Sequence, residues 1–184
     1  MLENIQNNQK SKFYKVINII LAVSTISGLV LPWFLLSNYN SSDKANLTIS
    51  LTSIAGFLRF LTGGKNQMLV DITVHNAAIA VLGFILSFLS HGVLGCVFLF
   101  LNSFLVGMVL YGVHDFQTIL FVFLEILGIC VAAFGGTILA KKRNENNLSL
   151  SSVFKYSGIL ILIITIIYFL AAIIESNLII NRWS

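Results

Sequence analysis

Five polar side chains in strongly apolar surroundings are the candidates for chemistry in this sequence: His75, Asn76, Asn102, Glu125 and Glu175. An acidic or amide side chain at membrane depth costs several kcal/mol unless it is paired, so such residues are suspected of function. A carboxyl group can transfer protons as a general acid or base, and an amide N–H can bind a developing oxyanion. The set therefore indicates a candidate acid–base site within the membrane. Glu125, Asn102 and His75 are the predicted catalytic residues, and Asn76 and Glu175 are the predicted substrate-binding residues.

Structural roles are the alternatives for the same side chains. Asn76 and Asn102 can join helices by hydrogen bonds alone, and Glu125 can be a protonated structural carboxyl. Glu175 can lie in the hydrated headgroup zone, and His75 can be a solvated residue near the interface. The stretch from residue 72 to residue 114 contains no Lys or Arg, so an ionised Glu125 would find no basic partner there and the neutral acid is expected.

Composition indicates the element type that positions these residues. Of the 184 residues, 57% are hydrophobic and 10% are charged, against ~25% charged in soluble domains. Lipid tolerates this surface if the backbone pairs internally, and the single proline favours helices, so the fold class is all-α in one membrane domain, residues 1–184. The net charge of +4 comes from short Lys and Arg clusters that set topology, so no nucleic acid is implied. The two cysteines and three histidines show no metal-ligand spacing, and no cofactor or metal is predicted.

Apolar runs define about five transmembrane helices after a cytoplasmic lead at residues 1–15. With the N-terminus inside, seven of the 11 Lys and Arg residues are cytoplasmic, and five crossings place the C-terminus outside. Residues 47–62 are too short to cross and suit an interfacial or re-entrant helix. A sixth crossing there is the alternative. The predicted spans are residues 16–36, 72–90, 93–113, 116–140 and 153–174.

Helical spacing places the candidate residues on faces of small residues, which let helices approach closely. Each polar residue should therefore point into the bundle, and all lie between the midplane and the outer surface. The faces are Asn76, Ala80, Gly83 and Ser87 in the second span, Glu125, Gly128, Ala132 and Gly136 in the fourth, and Tyr168, Ala171, Ala172 and Glu175 in the fifth.

Four motifs in order resemble the stage II sporulation protein M family, over roughly residues 49–179. They are VHNAAIA at residues 74–80, LNSFLVG at 101–107, LFVFLEILGICVAAFGG at 120–136 and LAAIIE at 170–175. The family's Asn-Asn is His-Asn here, its Asn-Gly is Asn-Ser, and its Pro-His-Gly is replaced by Leu120, Phe121 and Val122. The motif histidine is missing here, and His75 or His114 is the candidate substitute for it.

The resemblance implies a bacterial cell membrane protein in one of two settings. The sporulation member of the family anchors a peptidoglycan-degrading complex. Divergent relatives in circular bacteriocin gene clusters are needed for maturation or export of a head-to-tail joined peptide, and this chain is more similar to those. The resulting hypothesis is leader removal, circularisation or export of such a peptide, with an intramembrane glutamate as the catalytic group of a peptidase or cyclase. The implied partners are the lipid bilayer, a hydrophobic precursor peptide and other membrane proteins of the cluster, with oligomers allowed. The alternatives are a non-catalytic scaffold of a sporulation or cell-wall-remodelling complex, and a small transporter or immunity protein.

Overall fold

The described part of the chain consists of five α-helices and the short segments that adjoin them. A computed structural model describes residues 2–37, 65–111, 116–146 and 148–183. All regular structure in these ranges is helical, which confirms the predicted all-α class. The predicted interfacial helix at residues 47–62 lies outside the described residues. The helices are α1 Leu2–Leu36, α2 Lys65–Leu89, α3 Val93–Tyr111, α4 Phe116–Asn146 and α5 Leu150–Trp183.

Each predicted span overlaps one of these helices, several of which extend beyond it. Four helices contain stretches long and apolar enough to cross a membrane: Gln9–Leu36, Leu69–Leu89, Phe116–Glu145 and Leu150–Leu178. The apolar part of α3, Val93–Met108, is shorter. The whole of α3 has 19 residues and is ~28 Å long, close to the ~30 Å of a bilayer core. The number of crossings and the orientation stay predictions.

The bundle contains a helix pair, α1 with α3, and a group of three, α2 with α4 and α5. Contacts of α3 with α2 and α4 join the two parts. The fully buried side chains include Leu21 of α1, Leu99 of α3 and Ile164 and Tyr168 of α5, so all parts share one core. Large apolar side chains cover the outside of every helix, as contact with lipid requires.

Close backbone approach holds α1 and α3 together. A Cβ atom at Gly28 would lie 2.6 Å from the Phe100 carbonyl oxygen, and one at Gly107 would lie 2.7 Å from the Leu29 carbonyl oxygen. Residues later in α1 contact residues later in α3, so the two helices run parallel. Pro32, which is buried, lies inside α1 at the Gly107 contact and has no N–H to offer the Gly28 carbonyl.

A tight turn at residues 90–92 joins α2 to α3. His91 and Gly92 both have positive φ angles, 55° and 97°, and the Gly92 N–H donates to the Ser87 carbonyl at 2.7 Å. This arrangement ends a helix in the left-handed conformation, where glycine or asparagine is usual. A Cβ atom at Gly92 would also collide with Ile17 and Thr137. The Tyr14 hydroxyl lies 2.8 Å from His91 Nδ1, which ties the turn to α1.

Candidate functional site

The predicted small-residue faces are the contact surfaces of α2, α4 and α5. Ala80 and Ser87 of α2, Ala132 of α4 and Ala172 of α5 are fully buried. A Cβ atom at Gly136 of α4 would lie 2.5 Å from the Phe84 carbonyl oxygen of α2. These contacts confirm that the faces are directed into the bundle, and they bring Asn76 and Glu125 to the same helix interface.

Asn76 and Glu125 form a direct hydrogen bond between α2 and α4. The Asn76 side-chain amide donates through Nδ2 to Glu125 Oε1 at 2.6 Å, at the short end of the range for N–H···O bonds. Glu125 lies nine residues into α4, ~13 Å along the axis from Phe116. The pair is thus a polar contact at membrane depth between residues 49 positions apart in the sequence.

Tyr168 adds a third helix to this contact. Its hydroxyl donates to the backbone carbonyl oxygen of Glu125 at 3.2 Å, and its side chain is almost completely buried. The ring fits against Gly128, one turn further along α4, where a Cβ atom would lie 2.7 Å from the ring carbon Cζ. Glycine at position 128 therefore allows the tyrosine to reach the Glu125 backbone. These three residues form the Asn76–Glu125–Tyr168 cluster, which links α2, α4 and α5.

Two members of this cluster are partly exposed at the surface of the bundle. Asn76 and Glu125 are both partly exposed, whereas Tyr168 and the small residues beneath them are buried. The Asn76 amide nitrogen carries two hydrogens, and the bond to Glu125 uses one of them. The cluster thus combines a positioned carboxyl group with an adjacent amide donor in two partly exposed residues.

Asn102 makes a different contact. Its side-chain amide donates through Nδ2 to the Phe98 carbonyl oxygen of its own helix at 2.8 Å. The following residue, Ser103, is buried against Gly28 of α1. One hydrogen of the Asn102 amide is therefore used within α3 itself.

His75 and Glu175 lie further from the centre of the cluster. His75 is exposed on α2, and as the residue before Asn76 it is rotated by ~100° around the helix axis. Glu175 is partly exposed on α5, seven residues and ~10 Å beyond Tyr168 along the axis. Of the five predicted site residues, Asn76 and Glu125 are joined by a hydrogen bond. In the described part of the chain, no group of three His, Cys, Asp or Glu side chains is placed to hold a metal ion.

Tyr168 is the member of the cluster that the sequence did not single out as a site residue. Two features of the sequence could have indicated its role. Tyr168 lies on the small-residue face of α5, and it places a hydroxyl group in an apolar run. A tyrosine in such a run needs a hydrogen-bond partner when it is buried.

A bundle of apolar helices whose amide, carboxyl and hydroxyl groups pair at the helix interfaces is a multi-pass membrane protein in contact with the lipid bilayer. The family model of stage II sporulation protein M matches residues 17–178, well over half of the chain, and the chain belongs to that family. The match starts before residue 49, where the sequence motifs began, and so includes most of α1. No curated protein and no solved structure is significantly similar to the chain.

Proposed function

We propose that this protein acts in a bacterial cell membrane on a hydrophobic precursor peptide and is required for maturation or export of a circular bacteriocin. Maturation here means leader removal, head-to-tail circularisation or both. Family membership supports a multi-pass membrane protein of this kind. The observation that carries the proposal is the partly exposed Asn76–Glu125 hydrogen bond at membrane depth.

The enzymatic form of the proposal assigns leader removal to this pair. A neutral Glu125 carboxyl gives its proton to the leaving amine nitrogen as the peptide C–N bond breaks. Water supplies the hydroxyl group that joins the carbonyl carbon, and the remaining proton of that water returns to the Glu125 carboxylate. The second hydrogen of the Asn76 amide binds the carbonyl oxygen as negative charge develops on it.

The other predicted residues have accessory roles in this proposal. Glu175 and His75 assist binding and proton transfer where the peptide enters the bundle. Asn102 uses one of its two amide hydrogens for the Phe98 oxygen, 2.8 Å away, and can donate the other to a peptide carbonyl, whereas the Asn76 amide is the one bonded to Glu125. Its contribution should therefore be smaller than that of Asn76.

A non-catalytic scaffold is the second candidate, and one observation favours it. Glu125 accepts hydrogen bonds from α2 through its side chain and from α5 through its backbone, so the cluster joins three helices without any substrate. A scaffold of a sporulation or cell-wall-remodelling complex needs only helices that are held together in this way. In that case the cluster maintains a surface on which partner proteins assemble.

Deletion of the gene and complementation with the wild-type chain test the proposed setting. Mass spectrometry of cells and medium should show a peptide with its leader in the deletion strain, and a peptide one water lighter than its linear form after complementation. Mature peptide retained inside deletion cells would support export in place of maturation. An unchanged peptide profile with a defect in cell-wall remodelling would support the scaffold and contradict the proposal.

A further inference from the structure

A cavity of about 280 Å³ lies at the end of the bundle remote from Glu125. It is lined by Phe88 and Leu89 from the end of α2, His91 from the turn, and Ala140, Arg143 and Asn144 from α4. Arg143 is 18 residues after Glu125, so the two regions are ~27 Å apart along α4. The volume is just below the ~300–1,000 Å³ of small-molecule sites and suits one compact polar group.

Contacts with neighbouring side chains fix the positions of two polar groups in this cavity, the Arg143 guanidinium and the His91 imidazole. The Arg143 guanidinium carbon lies 5.7 Å from the centre of the Phe88 ring, a cation–π distance that holds the charge at the cavity wall. The His91 Nδ1 lies 2.8 Å from the Tyr14 hydroxyl, which fixes the position of the imidazole. If that hydroxyl donates to Nδ1, the hydrogen of a neutral imidazole is on Nε2, which is then a donor.

The charge around this end is strongly positive. Among the side chains described there, the cations are three lysines of α1, Lys155 of α5 and the Lys-Lys-Arg run at residues 141–143 of α4. Glu145 is the acidic side chain described near the cavity, and its Oε2 lies 3.8 Å from Lys141 Nζ. The site therefore favours an anion, and a guanidinium binds phosphate oxygens in a two-pronged manner.

We infer that the cavity between the 90–92 turn and the end of α4 binds an anionic phosphate group, through Arg143, His91 and Asn144. Two sources share this chemistry, the headgroup of an anionic phospholipid and free inorganic phosphate. Apolar walls at Phe88 and Leu89, at the end of an apolar helix, place the cavity where a lipid headgroup lies. Basic pockets between helices on the cytoplasmic side of membrane proteins bind such headgroups.

The neighbouring residue provides a charge-matched control. Lys142 lies 5.6 Å from the centre of the Tyr156 ring and lines a different, smaller cavity of about 180 Å³ between α4 and α5. Lys142→Gln and Arg143→Gln remove the same charge at adjacent positions of one helix. Only Arg143→Gln removes a cation from the proposed site. Both residues are exposed, so both variants should retain the thermal stability of the wild type.

The test is calorimetric titration of the purified full chain in neutral detergent with short-chain phosphatidylglycerol, short-chain phosphatidylcholine and inorganic phosphate. Phosphatidylglycerol should bind saturably and at least tenfold more tightly than phosphatidylcholine. Arg143→Gln should lose at least tenfold, Arg143→Lys several-fold, and Lys142→Gln less than twofold. Inorganic phosphate that competes only at far higher concentration identifies the lipid as the ligand, and competition at equal concentration identifies free phosphate. Equal losses in Lys142→Gln and Arg143→Gln, equal binding of both lipids, or no saturable binding would overturn the inference.

Discussion

Replacement of Gly136 by alanine tests the close contact between α2 and α4 that positions Asn76 beside Glu125. The added Cβ would lie 2.5 Å from the Phe84 carbonyl oxygen, and ordinary contact begins at 3.4 Å, so the backbones must separate by about 0.9 Å. A backbone oxygen cannot rotate away as a flexible side chain can. We therefore take the upper part of the ~1–3 kcal/mol range for overpacking, about 3 kcal/mol.

Alanine also favours the helix over glycine by ~1 kcal/mol, which offsets part of this cost. The expected net loss in free energy of unfolding is about 2 kcal/mol, a factor of about 30 in the folding equilibrium. Gly158→Ala is the matched control, because Gly158 is also in a helix but a Cβ there meets nothing within 4 Å. That variant should gain ~1 kcal/mol, so the two substitutions should differ by about 3 kcal/mol.

Unfolding by sodium dodecyl sulfate in mixed micelles, followed by far-ultraviolet circular dichroism, measures both values. The wild type and the two variants should give three separate transitions, with Gly136→Ala lowest and Gly158→Ala highest. If Gly136→Ala is stabilised as much as Gly158→Ala, the described contact between α2 and α4 is wrong.

Two further substitutions test the Tyr168 contact and the predicted topology. Tyr168→Phe keeps the ring against Gly128 and removes the hydroxyl that donates to the Glu125 carbonyl, so it should cost ~1 kcal/mol of stability in the same micelle assay. A loss below a few tenths of a kcal/mol would show that this bond does not form. Ser184→Cys should react with a membrane-impermeant maleimide added outside intact cells, because five crossings from an inside N-terminus end outside. Labelling only after the cytoplasm is opened would contradict five crossings and support six.

The helices and their buried faces could be predicted because both follow from local pattern. Runs of apolar residues near 20 in length predict membrane helices, and the four-residue spacing of Ala132 and Gly136 predicts a contact face. The turn at residues 90–92 follows from the polar Ser-His-Gly between two apolar runs. These features depend on the residues within one segment.

The pairing of the polar groups could not be predicted, because it depends on the axial register between helices. Asn76 meets Glu125 only because α2 and α4 are placed at one relative height, which their own residues do not specify. Asn102 had an alternative acceptor in its own helix, the Phe98 carbonyl, and the sequence does not show which acceptor is used. Tyr168 reaches the Glu125 backbone only because Gly128 leaves room for its ring.

The parallel contact of α1 with α3 was also absent from the sequence-based prediction, although a signal was present. Gly28 and Pro32 are four residues apart, as are Ser103 and Gly107, and the structure packs these two pairs together. Gly28, Ser103 and Gly107 are small residues of the kind that lets helix backbones approach closely. The pairing of these two helices, as opposed to any other pair with small residues, is again a matter of register and topology.

Glu125→Gln, measured for peptide maturation in the complemented deletion strain, tests the central proposal most directly. Glutamine retains the shape of the side chain and an oxygen that can accept from Asn76, while the transferable proton is lost. The variant should therefore fold, reach wild-type levels in the membrane and unfold at the same detergent concentration. We predict that the precursor nevertheless accumulates with its leader attached. Complete maturation by Glu125→Gln at normal protein levels would contradict a catalytic role for Glu125.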